Sequence, residues 1–199
     1  VLHDTVTVVK ENQMQGVDKI QEESAKVTKL TDKITDYLAG LFSSGLLTEQ
    51  QASQTAGLMY VLGDVERIGN LSAGIALSMK EKETNQYKYS QEAMDELAKC
   101  LKTLEKMFDS ATKALRGDTT VELEKLMKRK DKIVNLDIMM RKSHIQRVNK
   151  GKCKASLTTP FTNILHLIDR MGNSCINLAD AATNEVALKY FLPKDEMTM

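Results

Sequence analysis

The sequence predicts an all-α protein made of two tandem, pseudo-symmetric three-helix bundles, with the first helix of the first bundle largely truncated. Its 199 residues hold two prolines, ten glycines and no tryptophan, the composition of long helices and not of sheets. Apolar residues recur at steps of three and four along most of the chain, the period of a buried helical stripe. A short acidic-Arg-apolar-Gly-Asn motif also occurs twice, as Glu66-Arg67-Ile68-Gly69-Asn70 and Asp169-Arg170-Met171-Gly172-Asn173. The offset, 170 − 67 = 103 residues, marks an internal repeat.

Taken in order, about Val1 to Val8 is all that remains of the first unit's first helix. It is β-branched and weakly helical, expected as a short helix, with a run-on into the next helix as the alternative. From Val17 to Phe42, Val17, Ile20, Val27, Leu30, Ile34, Tyr37, Leu38 and Leu41 predict a long helix with one buried stripe. Ser43-Ser44-Gly45 breaks it, and Thr48 with Gln51 three residues on predicts a capping box that starts the next helix. In that helix Leu58, Val65, Ser72 and Met79 form one seven-spaced row, with Val61, Ile68 and Ile75 as its neighbour.

The polar stretch Lys80 to Lys88 reads as a connection. Helical spacing resumes from Ser90 to Arg116 through Met94, Leu97, Leu101, Leu104, Phe108, Ala111 and Leu115, and Gly117 is expected as its cap. A charged helix follows from Val121 to Val148, with Leu123, Leu126, Ile133, Ile138, Met140 and Ile145 inward and Gly151 closing it. The last helix, Ser156 to Lys189, carries Leu157, Phe161, Ile164, Ile168, Met171, Cys175, Leu178 and Ala182 in three-four alternation, with Pro160 in its first turn and Pro193 beyond its end. The acidic residues Glu23 and Asp131 align the helices before the motifs at 131 − 23 = 108. The repeats are therefore drawn as residues 1–85 and 86–199. Lacking one helix, the first unit is expected to leave apolar stripes uncovered, which predicts a homodimer or dependence on an upstream segment.

Lys plus Arg total 28 against 27 for Asp plus Glu, a formal net charge of +1, so no whole-molecule field calls for nucleic acid. Cys100, Cys153 and Cys175 are an odd number without a CxxC pair, which argues against a disulfide framework and a thiolate zinc site and for a reducing compartment. No apolar run approaches the roughly 20 residues that span a bilayer. The chain starts at Val1 without a basic n-region, and it is expected to be cut from a longer polypeptide.

Residues four apart on a helix share a face, so Glu66 with Asn70, and Asp169 with Asn173, each present a carboxylate and an amide together. Asp131 and Asn135 repeat that spacing on the preceding helix. Gly69 and Gly172 would let a neighbouring helix come close, and paired acids in such a groove could hold a hard cation through oxygen. The alternative gives the same residues to interhelical salt bridges and hydrogen bonds, which imitate sites. His166, three residues before Asp169, either joins such a site or packs; His3 and His144 read as background. The basic run Lys125 to Lys132 and the cluster Arg141-Lys142, Arg147 and Lys150 to Lys154 read as the solvated flank of one helix and its exit, with an anion or headgroup contact as the second reading. Paired Glu-x-x-His, a phosphate loop, a nucleophile elbow and HExxH are absent from the sequence, so no catalytic residue is assigned. A carboxylate-bridged metalloenzyme is the alternative from another functional class.

The duplicated motifs, the Asn177-Leu178-Ala179-Asp180 that follows the second, and the three-plus-three layout resemble the PhoU family over almost the entire chain. The segment from Arg141 through Arg147 and Gly151 to Cys153 looks most like the PhoU-type domain at the cytoplasmic end of bacterial sodium/phosphate cotransporters. The resemblance implies a non-catalytic, regulatory role in phosphate uptake at the cytoplasmic face of the membrane, against a membrane-embedded transporter portion in the same polypeptide. A free-standing regulator of a phosphate ABC transporter and its sensor kinase is the alternative within the family. An iron or zinc cluster is also implied. In the family the metal motif ends in aspartate, whereas Asn70, Asn173 and Asn135 stand there in this chain. An amide oxygen is a neutral, weaker ligand than a carboxylate, which leaves one weakly bound divalent cation at Glu66 and Asp169 as the metal reading.

Overall fold

The structure is a computed structural model that describes every residue except 13, 85–88, 119, 120, 122 and 184–199, with the side chains of 82–84 and 183 also left aside. Among the described residues there are six α-helices and no strand: α1 Leu2–Glu11, α2 Val17–Ser43, α3 Glu49–Thr84, α4 Gln91–Leu115, α5 Leu123–Asn149 and α6 Thr158–Thr183. Short 3₁₀ turns, Met14–Gly16 and Ala155–Leu157, lead into α2 and α6. The expected run of the last helix to Lys189, and Pro193, lie outside the described residues.

Local chemistry sets the helix ends. Thr48 and Gln51 form the reciprocal capping box: Thr48 N–H donates to Gln51 Oε1 at 2.9 Å, and Gln51 N–H donates to Thr48 Oγ1 at 3.3 Å. Two orphan donors at the start of α3 are thereby satisfied. Ser90 Oγ accepts from Ala93 N–H at 3.2 Å and caps α4. At the other end Gly117 takes φ 91°, a left-handed conformation that costs glycine little. Its N–H donates to Ala114 O, and that of Asp118 donates to Lys113 O, a Schellman closure. Gly151 repeats it with φ 68° after α5, its N–H donating to Val148 O and that of Lys152 to Arg147 O.

The two predicted rows of α3 and the stripe of α6 face one continuous core that also draws on α1, α4 and α5. A smaller cluster of Val8, Val17, Ile20, Ala73 and Ala76 joins α1, α2 and α3. The halves meet along α3 and α6 and along α1 and α4. Ser72, fully buried, donates to Ile68 O at 2.6 Å and lies 3.3 Å from Met171 Sδ. Thr5 Oγ1 ties α1 to Ser72 O at 3.3 Å.

The contacts set the register of the repeat. The helices α2 and α5 each have 27 residues, offset by 123 − 17 = 106. Ser24 stands opposite Gly69, and Lys130 stands opposite Gly172, again 130 − 24 = 106. The offset of 108 from Glu23 and Asp131 is thus two residues off; charged residues outside the buried core are a poorer guide than the residues that meet the partner helix. By the same offset Thr5 and Val9 of α1 match Ala111 and Leu115 of α4, all buried, so α1 is the last part of a helix that α4 gives in full.

Cover by α4 explains where the predicted stripes fail. Leu30, Ile34 and Tyr37 were expected inward, and they are exposed, Ile34 to 36 %. Met140, the counterpart of Ile34, is 1 % exposed because the 25-residue α4 lies over it. The 10-residue α1 matches only the last part of α4 and does not reach this stretch of α2. On α5, Ile138 and Ile145 are also exposed, against expectation. The inward row runs instead through Leu126, Ile133, Met140, His144 and Arg147.

Candidate functional site

The duplicated motif places its residues alike in the two halves. Glu66 and Asp169 are half-buried, Arg67 and Arg170 exposed, Ile68 and Met171 buried, Gly69 and Gly172 buried, and Asn70 and Asn173 exposed. Each glycine turns to the helix before it. A Cβ on Gly69 would lie 3.7 Å from Val27 Cγ1, ordinary contact, so this glycine does not enforce the close approach expected of it. At Gly172 a Cβ would come within 3.1 Å of Lys130 Cδ, a tight fit.

The hydrogen-bond partners of the two corners differ. Thr28 Oγ1 donates to Glu66 Oε1 at 3.1 Å, and Asn70 Nδ2 donates to the same oxygen at 3.3 Å. Ser24 Oγ donates to Asn70 Oδ1 at 2.9 Å. Glu66 Oε1 and Asn70 Oδ1 therefore already accept from hydroxyl or amide groups. In the second corner Lys130 Nζ pairs with the Asp169 carboxylate and donates to Asp169 O at 3.0 Å. Its ammonium stands at the place a bound cation would take. Asp131, Asn135 and Asn173 are exposed, and no group of three or more His, Cys, Asp and Glu among the described residues is placed to hold a metal ion. This donor set does not fit a multinuclear cluster: amides replace carboxylates, and a lysine supplies the positive charge.

His166 is exposed. His3 Nδ1 lies 2.6 Å from Glu105 Oε1 at the surface. His144, read as background, is instead 2 % exposed and part of a polar cluster at the exit of α5. Its Nε2 is 3.0 Å from Thr158 Oγ1, its ring stacks on Phe161 with centroids 4.9 Å apart, and Cys153 Sγ lies 3.9 Å from Nδ1. One turn on, Arg147 is buried and donates from Nη1 to Glu96 Oε2 at 3.1 Å. Its buried Nε and Nη2 have no hydrogen-bond partner among the described residues. Burial, then the Arg147 charge, lowers the His144 pKa from its ordinary 6.5, with Glu96 opposing. Burial raises the Cys153 thiol as well. A neutral imidazole beside a protonated thiol is packing chemistry, with no activated nucleophile in it. The sequence did carry a signal: His144 and Arg147 continue the three-four row from Met140.

Residues 97–182 match the PhoU domain. The match runs from Leu97 of α4 through α5 to Ala182 of α6, so it takes in nearly all of the second three-helix unit and supports the PhoU reading there. The first unit lies outside the matched PhoU residues and is tied to them by the repeated motif and its burial pattern. No curated protein and no solved structure matches the chain. Among the described residues no helix is long and apolar enough to cross a membrane.

Proposed function

We propose that the chain is a regulatory, non-catalytic PhoU-like module of a sodium-dependent phosphate transporter, acting at the cytoplasmic face of the membrane to modulate phosphate uptake. The observation that carries the phosphate-related part is the PhoU match over residues 97–182. The attachment to a transporter draws on the resemblance of the α5 exit, Arg141 to Cys153, to the cotransporter-linked form; in this chain Arg147 with Glu96, His144 with Thr158 and the Gly151 closure fix that exit. The joint near residues 85 and 86 is read as the seam of a duplication, the two repeats sharing one core.

In this proposal the open face of the first unit is the contact surface. Ile34, Tyr37, Phe42, Leu46 and Tyr60 are exposed near the α2–α3 turn, and a cavity of about 460 Å³ between Ala39, Phe42, Ala56, Met59 and Tyr60 lies beside them. A helix from the transporter portion takes this face, and at high concentration a second copy competes for it. The acidic corners act architecturally and hold at most a weak cation.

The test is phosphate uptake in cells that carry Tyr37→Glu with Tyr60→Glu in the native gene. Both side chains are largely solvent-exposed, so helicity by circular dichroism should not change. Uptake should lose its adjustment when cells move between low and high phosphate, and a normal adjustment would reject the contact surface. The coding sequence ahead of Val1 separates the two family readings, since membrane-spanning helices there belong to the cotransporter alone and their absence to the free-standing regulator.

A further inference from the structure

The basic run on α5 is not simply a solvated flank. Arg129 and Lys132 turn toward α4 and α1, and a cleft of about 560 Å³ lies among the three helices. Six cations line it: Lys10 from α1, Lys99, Lys102 and Lys106 from α4, and Arg129 and Lys132 from α5. The steps of three and four between the α4 lysines put them on one face. Asp95 is the single carboxylate in the lining among the described residues, and its Oδ1 accepts from Gln91 Nε2 at 2.9 Å. Arg129 is held in place, its Nη1 donating to Ser110 Oγ at 2.7 Å and lying 3.3 Å from Lys106 O. None of the six cations is in an ion pair among the described residues.

The chain as a whole is close to neutral, so this is a local concentration of charge, and a concave wall strengthens its field. Repulsion among the six is relieved by an anion that meets several of them at once. Lysine meets phosphate oxygens as a mobile point charge and arginine as a fixed fork. The volume falls in the range of small-molecule sites, roughly 300–1,000 Å³, and a lone orthophosphate would reach a minority of the lining cations. We propose that the cleft binds a soluble ligand carrying two or more linked phosphate groups. The inference rests on the cleft alone and stands apart from the transporter reading.

Calorimetric titration of the 199-residue chain with inorganic tripolyphosphate and, separately, orthophosphate tests it at about 0.15 M ionic strength, where surface charges further apart than about 8 Å are largely screened. One tripolyphosphate should bind per chain, about tenfold or more tighter than orthophosphate, a difference of about one decade in Kd. Lys102→Gln with Lys106→Gln, two exposed positions, should weaken tripolyphosphate by about tenfold without loss of helicity. Lys142→Gln with Lys150→Gln, outside the cleft, should leave it within about twofold. Equal loss in both double variants, equal affinity for the two anions, or no saturable binding would overturn the proposal.

Discussion

Gly69 and Gly172 occupy matching places, yet a methyl would be received differently at each. At Gly69 it makes ordinary contact with Val27, and replacing a helical glycine by alanine lowers the entropy lost on folding. Gly69→Ala should therefore stabilise the chain by about 0.5–1 kcal/mol, read from the midpoint of urea unfolding. At Gly172 the methyl presses on Lys130 Cδ, so Gly172→Ala should gain less, the lysine having to shift while it holds Asp169. Buried polar groups give two more expectations. Because His144 is held neutral when folded, the unfolded chain takes up a proton as pH falls through about 6.5 and the folded chain does so only lower. Stability is thus complete above that pH and declines below it. The melting temperature should drop between about pH 7.5 and 5.5, and His144→Gln should flatten the drop; an unchanged slope would remove His144 as its source. Burial pushes the Cys100 and Cys175 thiols up to about 12, so both should resist alkylation at pH 8 until the chain unfolds.

Caps and spacing made the helices legible before any coordinates, and Thr48 with Gln51 is the clearest case. Thr48→Ala should cost about 1 kcal/mol and speed amide exchange in the first turn of α3, while α4 and α6 remain unchanged. The stripe of α6 was readable because neighbours cover it on several sides. On α2 the opposite holds: periodicity states which side of a helix is apolar, and it does not state whether another helix is there to cover it. Leu30, Ile34 and Tyr37 have the right spacing and lack the partner. On α5 the aliphatic Ile138 and Ile145 lie outward, and His144 and Arg147 hold the inward positions, so hydrophobicity alone does not mark the buried row. The candidate site was legible only in part. The repeated motif gave Glu66, Asn70, Asp169 and Asn173 and their shared geometry, but Lys130 and the hydroxyls of Ser24 and Thr28, which hold Asp169, Glu66 and Asn70, come from the preceding helix in each half. The basic cleft likewise draws its six cations from three separate helices.

For the whole molecule, the metal reading and the duplication reading lead to separate measurements. Elemental analysis of the purified chain should find metal well below one atom per chain, with Glu66→Ala and Asp169→Ala the same as wild type; stoichiometric metal lost in those variants would restore a metal centre. Sedimentation over a wide concentration range should show self-association that Tyr37→Glu with Tyr60→Glu abolishes. The claim beneath all of this is that one helical unit occurs twice, covered by α4 in the second copy and left open in the first. Residue-resolved hydrogen exchange tests it most directly by comparing amides 32–43 of α2 with their counterparts 138–149 of α5, position by position. The α2 amides should exchange at least about tenfold faster, equivalent to about 1.4 kcal/mol less protection. Equal protection in the two segments would contradict the account.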